Sequence, residues 1–191
     1  VIDTKQNIEN NGLFISPIRA CHVFETFEKI KKDRDVSIVG DILSTLIVEI
    51  PHREIGGKCT PFEDLLKIRE LCSREGVRLH CDGARIFEAT VGYSKTPAEL
   101  AQLFDSIYIS FYKGLGGISG AMLMGSCEFC DEARIWLRRF GGNLYTLLPY
   151  AVSGWNGYKR NWVGEGGTMT FLAKKEKLSV REMQSKFYLI Y

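Results

Sequence analysis

Long apolar segments and an excess of charge of either sign are both missing from this sequence of 191 residues. No apolar run approaches the roughly 18 residues that a membrane-spanning helix needs, and the best stretch, 42–50, includes Glu49. The 25 lysines and arginines nearly balance the 23 aspartates and glutamates, which argues against a nucleic-acid partner held by bulk positive charge. The first residues lack the charged-then-apolar pattern of a signal peptide. We therefore expect a cytoplasmic protein without a membrane or nucleic-acid partner.

Several common catalytic motifs are absent as well. The sequence has no G-x-x-x-x-G-K-[ST] phosphate loop, no G-x-S-x-G hydrolase motif and no H-E-x-x-H zinc motif among its three histidines. The bend Gly114-x-Gly116-x-x-x-Gly120 misses the G-x-G-x-x-G spacing of dinucleotide-binding loops by one residue. Cys127 and Cys130 form a C-x-x-C pair without a second pair, so we interpret them as part of the first turn of a helix and predict no metal site.

What the sequence does contain is an alternation of short apolar strands and amphipathic helices. Strands are predicted at 45–50, 77–81, 106–111 and 121–124, and helices at 22–34, 60–76, 96–103 and 126–139. Thr60-Pro61-Phe62-Glu63 and Thr96-Pro97-Ala98-Glu99 both have the pattern of a capping box that begins a helix. This alternation predicts an α/β fold with a mostly parallel sheet covered by helices on both faces.

Two charged residues stand at the predicted ends of apolar strands, where open α/β sheets bind their ligands. Asp82 follows the strand VRLHC, and Lys113 follows SIYISFY. An ionised side chain in such a place is costly unless it is paired or used. Each is followed by small residues, which let a ligand approach the backbone closely. Taken singly, each also has an ordinary structural explanation, as an Asp that caps the next turn or a Lys that extends from a loop.

Four segments of the chain resemble one enzyme family. The segments 80–85 (HCDGAR) and 110–116 (SFYKGLG) resemble paired motifs of the threonine aldolase / β-eliminating lyase family, whose members use pyridoxal 5'-phosphate (PLP). Glu49-Ile50-Pro51-His52 with its following glycines, and the arginine-rich segment 134–142, resemble two further parts of that family. The matches are colinear over 45–145. The resemblance implies the large domain of fold-type I PLP enzymes, in partial form, over 1–160, followed by an irregular or helical tail at 161–191.

The resemblance also implies a role for each residue of the candidate site. Lys113 would bind PLP covalently, and Asp82 would keep the PLP ring nitrogen protonated, which this cofactor needs in order to accept electrons. Ala84 would pack against the ring, and Ser110 would bind the cofactor phosphate. Arg85 would bind the substrate carboxylate, a task that suits the bidentate geometry of a guanidinium group.

Two histidines and one tyrosine complete the comparison. His52 is a weaker candidate for substrate binding. His80 shares a strand face with Asp82 and is equally compatible with a core histidine. Tyr145 stands where the resemblance leads us to expect a phosphate-binding arginine. Because family members are considerably longer, we expect a partial chain that binds PLP weakly.

The function that the resemblance implies is that of a PLP-dependent lyase acting on a small amino acid. It would cleave a β-hydroxy-α-amino acid to glycine and an aldehyde, in a homodimer or homotetramer. β-Elimination and transamination remain alternatives on the same scaffold, because the cofactor accepts electrons in all three reactions. A truncated, non-catalytic homologue and an unrelated α/β binding domain remain the alternatives from other functional classes.

Overall fold

A computed structural model of the chain describes residues 17–36 and 43–162. Strands alternate with helices along most of this length, which confirms the α/β class. The elements, in chain order, are α1 (Ala20–Val36), β1 (Thr45–Glu49), α2 (Phe62–Glu75), β2 (Arg78–Asp82), α3 (Ile86–Tyr93), α4 (Pro97–Ala101), β3 (Ser106–Ser110), β4 (Ala121–Gly125), α5 (Cys127–Arg139) and α6 (Leu148–Asn161). None of the described helices is long and apolar enough to cross a membrane.

The four strands form one mixed, mostly parallel sheet in the order β1-β2-β3-β4. β1, β2 and β3 run parallel to one another, whereas β4 runs antiparallel to β3. Each parallel connection contains a helix, but 111–120 joins β3 to β4 without one. A parallel crossover needs about a dozen residues or more, so this shorter connection returns the chain antiparallel. The predicted sheet, mostly parallel and flanked by helices, is confirmed.

One face of the sheet forms the core with helices α1 and α2. The strands contribute alternate residues to this face, as expected from the two-residue period of a strand. The buried cluster includes Val48 of β1, Cys81 of β2 and Ile107 of β3, together with Phe27 of α1 and Ile68 of α2. The opposite face carries the polar residues of the same strands. The side chains of the candidate site therefore belong to the face that this core does not use.

The predicted capping box at Thr96 is confirmed, and the helix predicted over 126–139 begins after a cap at Ser126. The Thr96 side chain accepts a hydrogen bond from the Glu99 N–H, and the Glu99 carboxylate accepts one from the Thr96 N–H at 2.8 Å. Ser126 Oγ accepts a hydrogen bond from the Phe129 N–H at 3.2 Å. The first residue of α5 is thus Cys127, in the first turn of a helix as predicted.

The predicted capping box at Thr60 is wrong. Helix α2 begins at Phe62, and the residue that precedes it is Pro61, which makes no side-chain cap. Thr60 is 2% exposed, and its carbonyl oxygen accepts a hydrogen bond from the Tyr93 hydroxyl. Thr60 therefore packs against α3 and does not cap the helix.

The C-terminal part of the predicted domain contains a helix that the sequence pattern did not reveal. Helix α6 (Leu148–Asn161) extends to the end of the predicted domain at 160. Most of the predicted tail, from residue 163 onward, lies outside the described residues, as do residues 1–16.

Candidate active site

Polar side chains at the carboxyl ends of the parallel strands lie side by side on one face of the sheet. Glu49, Asp82 and Tyr108 occupy neighbouring positions on β1, β2 and β3. Ser110 lies two residues after Tyr108 and therefore on the same face. Open α/β sheets bind their ligands at this edge. The fold thus brings residues from separate motifs to one place.

Asp82 is the last residue of β2, and the backbone that follows it binds its carboxylate. The Asp82 Oδ1 atom accepts a hydrogen bond from the N–H of Ala84 at 3.2 Å. A Cβ atom on Gly83 would lie 2.9 Å from the carbonyl oxygen of Tyr108, so the chain crosses the end of β3 where only glycine fits. Ala84 lies in the same turn and is 5% exposed. This geometry fixes the carboxylate at the strand end.

Lys113 lies in a compact turn between β3 and β4. The Gly116 N–H donates to the Lys113 carbonyl at 2.8 Å, and the Gly117 N–H donates to the Phe111 carbonyl at 2.7 Å. These two bonds fix the backbone on both sides of Lys113. The Lys113 Nζ atom lies 5.6 Å from the centre of the Tyr112 ring, within the range of a cation–π contact.

Helix α6 packs onto the Lys113 turn through two glycines. A Cβ atom on Gly157 would lie 2.1 Å from the carbonyl oxygen of Leu115. A Cβ atom on Gly154 would lie 3.0 Å from the ring of Phe111. Because both glycines are buried and lie three residues apart, they form one face of the helix on which the turn rests.

Two polar side chains of α6 bind the same turn. The Ser153 Oγ atom accepts a hydrogen bond from the Ile118 N–H at 2.9 Å. The Asn161 side-chain amide donates to the Leu115 carbonyl at 2.8 Å. These bonds satisfy backbone groups that a turn leaves without partners of its own. Helix α6 therefore holds the backbone around Lys113 by packing and by hydrogen bonds.

Three hydroxyl groups lie together between Asp82 and Lys113. The Tyr108 hydroxyl and Ser110 Oγ are 2.8 Å apart, and Ser110 is 1% exposed. Hydrogen bonds from Tyr108 and Ser110 lower the pKa of Tyr112, and the positive charge of Lys113 adds to that effect. Burial raises the pKa of Tyr108. Tyr112, whose pKa is lowered, is thus the residue directly before Lys113 in the sequence.

Arg85 and Glu88 lie next to this turn, at the start of helix α3. The charges of Arg85 and Lys113 both act on the Glu88 carboxyl group and on the Tyr112 hydroxyl. Glu88 is 4% exposed. Burial raises its pKa to about 7, although the two positive charges oppose that rise. Arg85 thus reaches the same group of side chains as Lys113.

His52 lies at the end of β1, beside Glu49. The Nδ1 atom of His52 is 3.7 Å from a Glu49 carboxylate oxygen, and it is buried without a hydrogen-bond partner. The other oxygen of Glu49 accepts a hydrogen bond from the Arg53 N–H at 3.1 Å. His80 is engaged differently: its Nδ1 lies 2.7 Å from Ser106 Oγ, and burial lowers its pKa.

The structure therefore brings together five of the predicted site residues, namely Asp82, Ala84, Arg85, Ser110 and Lys113. His52 belongs to the neighbouring strand end, where its side chain faces Glu49. Three features of the site were not predicted: the tyrosines that flank Ser110, the buried Glu88 and the glycine face of α6. The alternation of Tyr108 and Ser110 is a signal in the sequence, because residues two apart on a strand share a face. Tyr112 lies beyond the end of β3.

Comparison with known proteins identifies similar chains. A family model described as beta-eliminating lyase matches residues 4–184. Low specificity L-threonine aldolase from Escherichia coli O157:H7 is 36% identical over 105 residues, which are 55% of this chain and 32% of that enzyme.

Two solved structures are similar as well. A "putative L-allo-threonine aldolase" from Listeria monocytogenes is 44% identical, with a TM-score of 0.65 over 73% of this chain and 38% of its own. A "putative aromatic amino acid beta-eliminating lyase/threonine aldolase" from an Exiguobacterium species is 52% identical, with a TM-score of 0.63 over 69% of this chain and 37% of its own. This chain thus spans less than two fifths of the length of each of these three relatives.

Proposed function

Because this chain belongs to the beta-eliminating lyase family, we propose that it forms part of a PLP-dependent lyase that cleaves the Cα–Cβ bond of a β-hydroxy-α-amino acid. The products are glycine and an aldehyde. The names of the relatives support this choice of reaction. The observation that carries the proposal is the arrangement at the edge of the sheet, where a carboxylate, a guanidinium group and a lysine from two sequence motifs surround the ends of β2 and β3.

The residues at this edge fit PLP in their chemistry. Asp82 offers a carboxylate whose orientation is fixed by the Ala84 N–H, and Lys113 offers a primary amine on a rigid turn. The turn that follows Asp82 begins with the small residues Gly83 and Ala84, which take up little space beside a flat ring. The buried Oε2 atom of Glu88 has no hydrogen-bond partner. When bound, PLP supplies the group that accepts the electrons of the broken bond.

Asp82 and Lys113 bind the cofactor in this proposal. The Lys113 amine forms the covalent attachment, for which its turn provides a fixed position. The Asp82 carboxylate holds a proton on the cofactor ring nitrogen. A half-buried carboxylate at a strand end is costly when unpaired, and a cationic ring nitrogen offsets that cost. The role of Ala84 is to give the ring a small, buried contact.

Arg85, Ser110 and His52 bind the remaining groups. Arg85 binds the substrate carboxylate through its guanidinium group. The Ser110 hydroxyl binds the cofactor phosphate while keeping its contact with Tyr108, since a hydroxyl group can donate one hydrogen bond and accept two. His52 contacts the substrate from the end of β1, where its Nδ1 atom is without a hydrogen-bond partner.

The test of this proposal is the site of covalent attachment. The chain is incubated with excess PLP and reduced with borohydride, and the modified peptide is identified by mass spectrometry. We expect the pyridoxyl group on Lys113 and its loss in Lys113→Met. Lys95→Met is the matched control and should label as the wild type does, because Lys95 is bound to Glu99. A label on Lys58 or Lys95 instead of Lys113 would contradict the assignment.

We also propose that the chain self-associates through helices α5 and α6. Helix α5 contains no buried residue, and apolar side chains of both helices are exposed, among them Trp136, Leu137, Leu148 and Trp155. Exposed apolar surface of this kind marks an interaction site. Light scattering should give a mass above that of one chain, and Leu148→Asp should lower it. A monomer at all concentrations would contradict this proposal.

A further inference from the structure

The side chain of Glu88 is a buried carboxyl group that the proposed cofactor chemistry does not use. Glu88 lies in the first turn of α3 and is 4% exposed. Its Oε2 atom is buried without a hydrogen-bond partner. An unsatisfied buried polar group carries a desolvation cost, and such groups are rare in native structures. The position of this group therefore requires an explanation.

Glu88 packs against the turn that carries Lys113. A Cβ atom on Gly114, the residue after Lys113, would lie 2.1 Å from Glu88 Oε1 and 2.7 Å from Glu88 Cδ. The carboxyl group thus occupies the space that any larger residue at 114 would need. Helix α6 contacts the same turn one residue later, at Leu115. The backbone on the C-terminal side of Lys113 is held by both helices.

We propose that Glu88 is a positioning residue for Lys113, supporting the Lys113–Gly114 backbone through its contact with Gly114 and interacting with the positive charge of Lys113. The role of Lys113 in binding PLP rests on the proposed function, whereas the contact of Glu88 with the turn and its coupling to the Lys113 charge do not.

Two positive charges act on the Glu88 carboxyl group. Burial raises the pKa of Glu88 to about 7, while Arg85 from its own helix and Lys113 from the turn act against that rise. A carboxyl group with such a pKa can hold or release a proton near neutral pH. The charge of Glu88 also acts on the Cys59 thiol, whose pKa burial raises to about 11. Cys59 therefore stays neutral over the range in which Glu88 titrates.

The coupling can be measured in the full chain without PLP. Glutamate carboxyl groups are labelled with ¹³C, and the Glu88 resonance is identified by its loss in Glu88→Gln. Lys113→Met removes the positive charge, so the Glu88 titration should move to higher pH by about 0.5 unit or more, less than the 1–3 units of a direct ion pair. Lys95→Met is the control and should not move it. An unchanged Glu88 titration in Lys113→Met would overturn the charge coupling.

The packing contact has its own test. Gly114→Ala puts a methyl group where the Glu88 carboxyl group lies, so its melting temperature should fall. In Glu88→Ala/Gly114→Ala that space is empty, and the double variant should be more stable than Gly114→Ala alone. A double variant that is no more stable than Gly114→Ala would overturn the supporting role. Suppose that the titration shift and the melting temperatures are as expected, but PLP does not label Lys113 in the wild-type chain. That outcome would contradict the proposed function and leave the positioning role of Glu88 in place.

Discussion

The contact between Gly157 and the Lys113 turn allows a prediction in which two effects have opposite signs. Alanine has the higher helix propensity, so Gly157→Ala in the interior of an exposed helix would stabilise the protein by about 1 kcal/mol. In this structure the new Cβ atom would lie 2.1 Å from the carbonyl oxygen of Leu115. That oxygen also accepts the hydrogen bond from Asn161, so it cannot move without breaking a second contact.

The steric effect should win. Overpacking of a buried contact costs about 1–3 kcal/mol, and here the contacted atom is backbone rather than a flexible side chain. We therefore expect Gly157→Ala to lower the free energy of unfolding by up to about 2 kcal/mol after the propensity gain is subtracted. Because the displaced backbone belongs to the Lys113 turn, labelling of Lys113 by PLP should fall as well.

Urea unfolding at equilibrium measures this difference. Asn156→Ala is the matched control, because Asn156 is an exposed residue of the same helix and its replacement gains propensity without a new contact. It should raise the free energy of unfolding by up to about 0.7 kcal/mol. If Gly157→Ala is as stabilising as Asn156→Ala, then helix α6 does not rest on the Lys113 turn as described.

Three further predictions follow from single residues. Asp82→Asn removes a charge at nearly constant volume, so it should lower kcat by about 10²- to 10³-fold. The urea midpoint should change little, and wild-type turnover would refute the role of Asp82. Thr96→Ala removes the hydrogen bond that the Thr96 hydroxyl accepts from the Glu99 N–H, while the Thr96 backbone N–H can still donate to Glu99. The change should cost about 1 kcal/mol, measured by urea unfolding with Ser126→Ala for comparison; an unchanged midpoint would contradict it. Burial lowers the pKa of His80 from 6.5, so the unfolded chain binds its proton at higher pH than the folded chain does. Stability should therefore fall as the pH drops below about 6.5, and less steeply in His80→Asn; equal slopes for the two proteins would exclude His80 as the cause.

Much of the fold could be predicted because its signals are local. The cap at Thr96 and the strands around Asp82 depend on residues that are close in sequence. Thr60 has the same local pattern as Thr96, yet its prediction was wrong, since the Tyr93 hydroxyl binds the Thr60 carbonyl. Nothing near Thr60 in the sequence indicates that contact. Local patterns therefore predict a cap only where tertiary packing leaves the residue at the surface.

The direction of β4 was open in the sequence for a similar reason. The apolar segment at 121–124 predicts a strand but does not say how the strand pairs. The length of the 111–120 connection decides the pairing, because a short connection without a helix cannot make a parallel crossover. That inference needs the exact ends of both strands, and these are the least certain part of a pattern-based prediction.

The candidate site shows the same division between local and tertiary information. Asp82 and Lys113 are recognisable because each is an ionised residue directly after an apolar strand. The residues that hold Lys113 in place, Glu88 and Gly157, have no such signal, since each acts on backbone that is distant in sequence. In the sequence, Glu88 is an ordinary acidic residue of a helix, and Gly157 is a glycine of low helix propensity in another helix. Only the fold shows that both residues contact one turn. A substitution at either residue should therefore change the position of the Lys113 backbone.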